Sequence, residues 1–561
     1  MKSIWEIPYI VVDVETTGSK AELNRITEVA GVKVIGGEIS DTFNSLVNPH
    51  QYIPEFIQRM TGITNEMAAA APEGSEVFPE FRKFLSVPEA VFVAHNVNFD
   101  WGFVSSSLQR ESIKIPDLPR LCSLKLARRV LATSIKKGVG NLAKFFAVKV
   151  NGRHRALGDA AATAEILLEL LEMAEQEHGI KTIDELLKFQ HKAVKRYKQS
   201  AKIYNRVSPF LDKLPAEPGV YYFKNKKNEI LYIGKAKSLN NRVKSYFSSG
   251  AISSKKIKDL TGRIHTIDWE CTGTELAALL MESREIKKCQ PPFNTVEKRY
   301  RKLPFIKLNV EDDYPTAELS FNINNDGAEY YGPFRSSFLV QDILKIIERQ
   351  FKLRKCADPI HPDPGSRTCF YYQIHRCDAP CAGEISHDEY TKEVERVRKF
   401  LSGCETGIID QLEKQMYDFA DKLEFERAEF LKRNIYELRK ILERDSNVPT
   451  SINDNNVILI LPANEREKTV ELFFIKGGRL MHQELIGRKA SLRAARKMLH
   501  TTYFNGVTSP LFFTLDDMDE LRILSSWLYR QKDSGRFLYI NGKKEDELAK
   551  ELEKTVRNIS Y

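Results

Sequence analysis

The apolar run Tyr9-Ile10-Val11-Val12 passes without a break into Asp13, Val14 and Glu15. A run of this kind reads as a strand, and residues two apart in a strand leave the same face. Two carboxylates on one face of an apolar strand are costly unless a cation neutralises them. Hard divalent ions held by oxygen, Mg²⁺ or Mn²⁺, are the natural solution. Strand-like and helix-like segments then alternate (I-T-E-V-A-G-V-K-V-I, A-V-F-V-A-H-N, then long amphipathic stretches), which makes Pro8 to Leu171 an α/β domain.

Two further patches supply matching groups. Asp100 ends the apolar segment V-F-V-A-H-N-V-N-F, and Asp159 opens the helical G-D-A-A-A-T-A-E-I-L-L. Four carboxylates are what a two-metal phosphodiesterase needs, one ion generating hydroxide and the other stabilising the leaving oxygen. His154 falls on a loop just ahead of that helix, where an imidazole suits removal of a proton from water near neutral pH. Taken singly, these residues also read as surface carboxylates and a loop histidine; their order and contexts favour one constellation.

At 561 residues the chain is too long for one core, and about three to five domains of roughly 100–200 residues are expected. No apolar run approaches the roughly 18 residues of a membrane span. The stretch Ile7 to Val14 is interrupted by Asp13, unlike the core of a signal peptide, so the cytoplasm is the expected compartment, with no membrane partner. The net charge is +9, but His191 to Tyr300 holds 23 Lys/Arg against 10 Asp/Glu, a local +13 that leaves the remainder at −4. One basic segment in a near-neutral chain suits a phosphate backbone, although a lysine-rich solvated surface has the same composition.

Glu175 to Tyr204 is helical in period, basic, and reads as a connector. Pro215 and Pro218-Gly219 then mark an entry turn. A small α/β unit follows, with strands Gly219–Lys224 and Glu229–Gly234 and a last helix from about Thr274 to Cys289. In G-V-Y-Y-F and L-Y-I-G-K-A, Tyr221 and Tyr232 lie on neighbouring strands of a hairpin, with Lys235, Arg242 and Tyr246 at helix-compatible intervals. Alternating tyrosines and cations suit DNA. An ordinary phenol, with a pKa of about 10, is a poor base and needs a cation nearby. Glu282, in the otherwise apolar A-A-L-L-M-E-S, is a candidate lone metal ligand. Read alone, tyrosines in a strand are also ordinary packing residues.

Cys356, Cys369, Cys377 and Cys381 cluster, whereas Cys122, Cys271, Cys289 and Cys404 are isolated. Without a secretion signal, such a cluster points to a metal or redox cofactor rather than to disulfides. Four thiolates suit tetrahedral Zn²⁺ or an iron–sulfur cluster, with four unliganded thiols as the remaining option. The region Tyr300 to His387 otherwise reads as loop-rich. Leu412, Met416, Phe419 and Leu423 form one stripe, and Ala428, Leu431, Ile435, Leu438 and Leu442 a second, the pattern of an antiparallel helical hairpin. From Asn455 another α/β unit is expected, with strands near Val457–Leu461 and Val470–Ile475.

Residues 8–171 resemble the DnaQ-like exonucleases of the DEDDh type, the family of proofreading subunits. That resemblance implies a ribonuclease-H-like fold and 3′→5′ removal of nucleotides, with Asp13, Glu15, Asp100 and Asp159 as metal ligands and His154 as base. Residues 214–300 look like the GIY-YIG endonuclease domain of UvrC and its shorter relative Cho, which nick damaged DNA in excision repair. Here the resemblance implies Tyr221 as base toward water, Tyr232, Lys235, Arg242 and Tyr246 as holders of phosphate and water, Glu282 as ligand of a single Mg²⁺, and Asn294 completing the site. The UvrC-like context of the cysteines favours [4Fe–4S] over Zn²⁺. The hairpin, with L-E-F-E-R-A at its tip, resembles the UVR motif through which UvrC meets UvrB, although F-L-K-R-N-I departs from the usual continuation. Residues 451–561 resemble the segment before the second UvrC nuclease domain. The chain stops there, so dual incision by this chain alone is not expected.

The expected architecture is therefore multidomain α/β: a ribonuclease-H-like exonuclease domain (1–175), a basic helical connector (176–213), a small α/β GIY-YIG domain (214–300), a Cys-rich region (301–390), a UVR-like helical hairpin (391–450) and a C-terminal α/β unit (451–561). The expected function is a bifunctional DNA repair nuclease. Two alternatives stand beside it. One is a proofreading exonuclease with a DNA-gripping appendage, associated with a DNA polymerase. The other is an adaptor whose second site is only a DNA clamp and whose hairpin recruits a UvrB-like protein.

Overall fold

The computed structural model describes residues 2–559 except 151, 153, 194–196, 198–199, 248–253, 296–297, 299, 301, 335–336, 357–359, 403–406, 443–450, 453–454, 465–466, 488–492, 506–512, 531–535 and 541. Two compact units emerge, Met1–Arg299 and Tyr300–Tyr561.

The first unit opens with β1 (Tyr9–Thr16), β2 (Ile26–Ile35), β3 (Glu38–Leu46), the helices α1 (Glu55–Thr61), α2 (Asn65–Ala69) and α3 (Gly74–Phe84), then β4 (Val91–Ala94), α4 (Val97–Arg110) and β5 (Arg120–Cys122). The strands form one sheet in the order β3-β2-β1-β4-β5. β1–β2 and β2–β3 are antiparallel, while β1–β4 and β4–β5 are parallel. Three helices follow: α5 (Ser123–Val130), α6 (Val139–Phe146) and α7 (Ala156–His178). Tyr9 and Val11 share a core with Ile166, Leu167 and Leu170 of α7, whereas Ile10, Val12 and Val14 share one with Phe81 of α3 and Phe103 of α4. Both faces of β1 are buried, which is why it is apolar at successive positions. Asp13 and Glu15 continue the row of Tyr9 and Val11, on the α7 side.

Beyond α8 (Ile183–Phe189) and α9 (Ala201–Leu211), a second sheet holds β6 (Gly219–Lys224), β7 (Ile230–Ala236) and β8 (Thr266–Cys271) in the antiparallel order β7-β6-β8. Around it lie α10 (Leu239–Tyr246), α11 (Lys255–Arg263) and α12 (Glu275–Cys289). Two expectations change here. The connector is not one helix: α7 runs on to His178, where Gly179 ends it in the left-handed conformation at φ 72°. α8 buries Leu186 and Phe189 in the core of the first sheet, and α9 buries Val207 and Leu211 in that of the second. The strand β8 is also additional. Ile267 is buried but Asp268 and Glu270 are exposed, so the run carries little apolar signal.

In the second unit, β9 (Phe305–Leu308), β10 (Ala317–Ser320) and β11 (Glu329–Tyr331) make a sheet of order β10-β9-β11, followed by α13 (Ser337–Gln350), α14 (Phe370–Gln373) and α15 (His387–Leu401). The stretch expected to be loop-rich thus has a core, in which Ile306, Leu308, Ile343 and Ile347 meet Val394 and Val397. The helical hairpin is α16 (Gly407–Asp421) and α17 (Phe425–Leu442), with Leu412, Leu431 and Ile435 in that same core. Leu423, expected in the apolar stripe, is in the turn at φ 60° and 73% exposed. The side chains of Leu438 and Leu442, and Cys404, lie outside the described residues. The unit ends with β12 (Val457–Pro462), β13 (Thr469–Lys476), β14 (Arg479–Gly487), α18 (Arg493–Leu499), α19 (Leu515–Arg530), β15 (Arg536–Tyr539) and α20 (Glu545–Asn558). Its antiparallel sheet runs β14-β13-β12-β15. Among the described residues, no helix is long and apolar enough to cross a membrane.

Candidate functional site

Asp13 and Glu15 lie toward the end of β1, Asp100 in the first turn of α4 and Asp159 in the first turn of α7. One carboxylate oxygen from each of Asp13, Glu15 and Asp159 lies within 4.8 Å of the others. Burial, and after it Asp100, Glu15 and Asp159, push the Asp13 carboxyl well above the usual range. Burial followed by Asp159 and Glu28 lifts Glu15 to about 8. Burial lifts Asp100 to about 7, against hydrogen bonds from the backbone N–H groups of Asp100 and Val14. Mutually repelling, poorly solvated carboxylates, two on a strand and two at helix N-termini, are a set that a hard divalent cation could neutralise. His154 is at φ 60° and its backbone N–H donates to Asp159 Oδ2 at 3.2 Å, so it borders the carboxylates.

Glu28 escapes a motif reading. It pairs with Glu15 in the β1–β2 ladder and is fully buried. Its carboxylate receives Arg155 at 2.7 and 3.0 Å and the Ala156 N–H at 3.0 Å. It thereby ties the start of α7, and with it Asp159, to the sheet. The available signal was one acid inside I-T-E-V-A-G-V. His95 and Asn96 are structural: His95 Nδ1 lies 2.9 Å from Ser123 Oγ, and Asn96 caps α4 at φ 86°.

The tyrosine site gathers on the second sheet. Tyr221 and Tyr246 share a 2.9 Å hydroxyl hydrogen bond, and the rings of Tyr221 and Tyr232 are 6.1 Å apart. The Arg242 guanidinium lies 5.1 Å from the Tyr246 ring centre. Glu282 Oε1 accepts the backbone N–H of Lys235 at 2.9 Å. The two motif glycines are close-approach positions. A Cβ on Gly234 would collide with the Tyr221 hydroxyl, and one on Gly219 with the carbonyl oxygen of Glu270. Asn294 spends its amide on the backbone of Ile233, accepting at 2.9 Å and donating at 2.8 Å, and so braces β7. Burial and Tyr246 push the Tyr221 phenol well above 10, and Arg242 lowers it without outweighing them.

In the second unit Cys377 is buried, Cys381 half-buried, and Cys356 and Cys369 exposed. Burial raises the Cys377 thiol, and Cys356, Cys369 and Cys381 add to that rise, so the four thiols share one neighbourhood. Among the described residues, their sulfurs are not gathered within 4.8 Å as the carboxylate oxygens are.

Four family descriptions match the chain in succession: an exonuclease (residues 10–167), the UvrC-like GIY-YIG domain (217–295), the middle domain of the UvrC/Cho excinuclease (303–400) and the UvrB/uvrC motif (406–441). The chain joins an exonuclease domain to UvrC-type segments. Its fold is accordingly multidomain α/β, with a ribonuclease-H-like first domain and a GIY-YIG second domain. UvrABC system protein C of Acetivibrio thermocellus is 33% identical over 355 residues, covering 62% of this chain and 56% of that protein. The chain spans about half the length of the curated relatives it matches. Among solved structures, exonuclease X in complex with 5′ overhanging duplex DNA is 26% identical over 32% of this chain and 99% of its own, at a TM-score of 0.26. The magnesium-bound GIY-YIG endonuclease domain of UvrC from Thermotoga maritima is 33% identical over 17% of this chain and all of its own, at a TM-score of 0.15.

Proposed function

We propose that the chain is a bifunctional, metal-dependent DNA repair nuclease: a 3′→5′ exonuclease at the carboxylate site and a GIY-YIG endonuclease that nicks damaged duplex. The observation that carries this reading is the convergence of Asp13, Glu15 and Asp159 within 4.8 Å inside a segment that matches an exonuclease.

Asp13, Glu15, Asp159 and Asp100 would hold Mg²⁺ or Mn²⁺ in the first site, and Glu282 one such ion in the second. Bound there, a divalent cation supplies positive charge to the phosphate and acidifies water. His154 takes the proton of the attacking water in the first site, and Tyr221 faces it as base in the second. Lys235 and Arg242 hold the scissile phosphate, while Tyr232 and Tyr246 order the water around it. Asn294 keeps β7 in place. Four neighbouring thiols suit a metal centre, [4Fe–4S] by likeness to UvrC or else Zn²⁺, and iron and labile-sulfide content decides between them. The α16–α17 hairpin exposes Tyr417, Leu423 and Phe425 and is the proposed contact for a UvrB-type protein. UvrC-type segments after residue 217 favour repair in the cytoplasm over service to a polymerase.

The test uses a lesion-bearing closed plasmid and a 3′-ended oligonucleotide with Mg²⁺ or Mn²⁺. Asp13→Ala is expected to abolish end digestion and keep nicking, and Glu282→Ala to do the reverse. Loss of both activities in Asp13→Ala would refute two independent sites.

A further inference from the structure

The helix that supplies Asp159 to the first site runs on to cover the second. Glu165, Glu169, Glu172 and Gln176 recur every three or four residues along α7 and so share one face. Opposite them stand the cations expected to hold phosphate. Lys235 Nζ lies 3.2 Å from Glu172, and Arg242 lies 3.4 Å from Glu177. Lys237 Nζ lies 3.8 Å from both Glu165 and Glu169, and 3.3 Å from Glu275 of α12. The Tyr232 hydroxyl donates to Gln176 Oε1 at 3.1 Å. Lys256 Nζ donates to the Gln176 carbonyl at 2.6 Å, and Ser254 Oγ to that of Glu177 at 2.9 Å. Tyr221, Tyr232 and Tyr246 are each at most 5% exposed. The space left between α7 and Glu282 is about 40 Å³, against the roughly 300 Å³ or more of a small-ligand pocket. It admits water or an ion, not a nucleotide.

We infer that the acidic face of α7 stands in for the sugar-phosphate backbone of duplex DNA and holds the tyrosine site shut until a duplex displaces it. This rests on the reading of that site as an endonuclease. The carboxylates present to Lys235 and Arg242 the charge a phosphate would present, so helix and duplex compete for the same cations. Asp159 lies 13 residues before Glu172, about 20 Å along the helix, so the exonuclease site remains open while its neighbour is closed. Opening must also break a small apolar contact, since Ala132 of the first domain is buried in the core of the second and Ile135 packs against it.

The test reverses charge on the covering face of the full-length protein, as Glu169→Lys with Glu172→Lys. A control, Glu55→Lys with Glu80→Lys, adds the same charge at exposed positions away from the interface. Relative to that control, the interface variant is expected to bind duplex in EDTA about tenfold more tightly and to nick plasmid about tenfold faster with Mn²⁺. Digestion of a single-stranded 3′ end should be unchanged, which also reports that the variant is folded. Equal binding and nicking in the two variants would overturn the occlusion while leaving the endonuclease in place. Tighter binding with no nicking by any variant would keep the occlusion and sink the endonuclease reading. Carbodiimide labelling of Glu172 and Glu177 in the unaltered protein gives a second measurement. Labelling should rise when saturating duplex is added, and unchanged labelling overturns the proposal.

Discussion

Asp13 works against the fold that holds it. Its carboxylate is half-buried with Asp100, Glu15 and Asp159 nearby, and each of them opposes its ionisation. Removing that charge while keeping the shape should relieve the repulsion: Asp13→Asn is expected to raise the metal-free stability by about 1–2 kcal/mol while ending 3′-end digestion. A shift of the denaturation midpoint in EDTA reads the first effect, and an unchanged or lower midpoint would mean that the cluster is already compensated. This site was legible because a strand sets residues two apart on one face, so D-x-E in an apolar run discloses its geometry. Glu28 was not legible, because one acid in a strand gives no hint that Arg155, 127 residues away, meets it. Gly219 and Gly234 show a middle case. Their letters mark the motif, but the reason for them, a carbonyl and a phenol passing where a Cβ would be, appears only in three dimensions.

At the scale of the element, α7 serves three neighbours. Its first turn carries Asp159, its inner face packs the first sheet, and its outer face meets the second domain. The period of its apolar residues discloses the inner face. The outer face reads as solvated because ion pairs between α7 and β7, about sixty residues on, leave no periodic trace. Its anchorage depends on Glu28, which is 1% exposed, while the Arg155 side chain is 39% exposed. Arg155→Ala would leave that carboxylate with the Ala156 N–H and little water. Breaking a buried pair costs about 3–5 kcal/mol, and the partial exposure of Arg155 brings the expectation to about 2–3 kcal/mol. Exonuclease activity should fall as well, since the turn bearing Asp159 loses its tie to β2. A variant with full activity and an unchanged unfolding midpoint would show that the helix start is fixed by packing alone.

For the molecule as a whole, the local charge of +13 between His191 and Tyr300 suggests an open footprint for DNA. The structure divides that charge. Lys235, Lys237 and Arg242 are already engaged by carboxylates, and Lys256 by a carbonyl of α7, so the attraction to phosphate is partly spent within the chain. Salt then acts in two opposing directions. It screens the pairs that close the tyrosine site, which favours opening, and it weakens the contact with phosphates, which disfavours binding. The first effect dominates while the site is mostly shut and the second once it is mostly open. Nicking by the unaltered protein is therefore expected to pass through a maximum as salt rises from about 20 mM, where the Debye length is about 20 Å, towards about 150 mM, where it is about 8 Å. In the Glu169→Lys, Glu172→Lys protein the first effect is gone, and nicking should decline steadily from the lowest salt. Initial rates on supercoiled plasmid across one salt series distinguish the two shapes. A steady decline in both proteins would mean that α7 exerts no electrostatic hold, and that the two catalytic centres of this chain are open to DNA independently of each other.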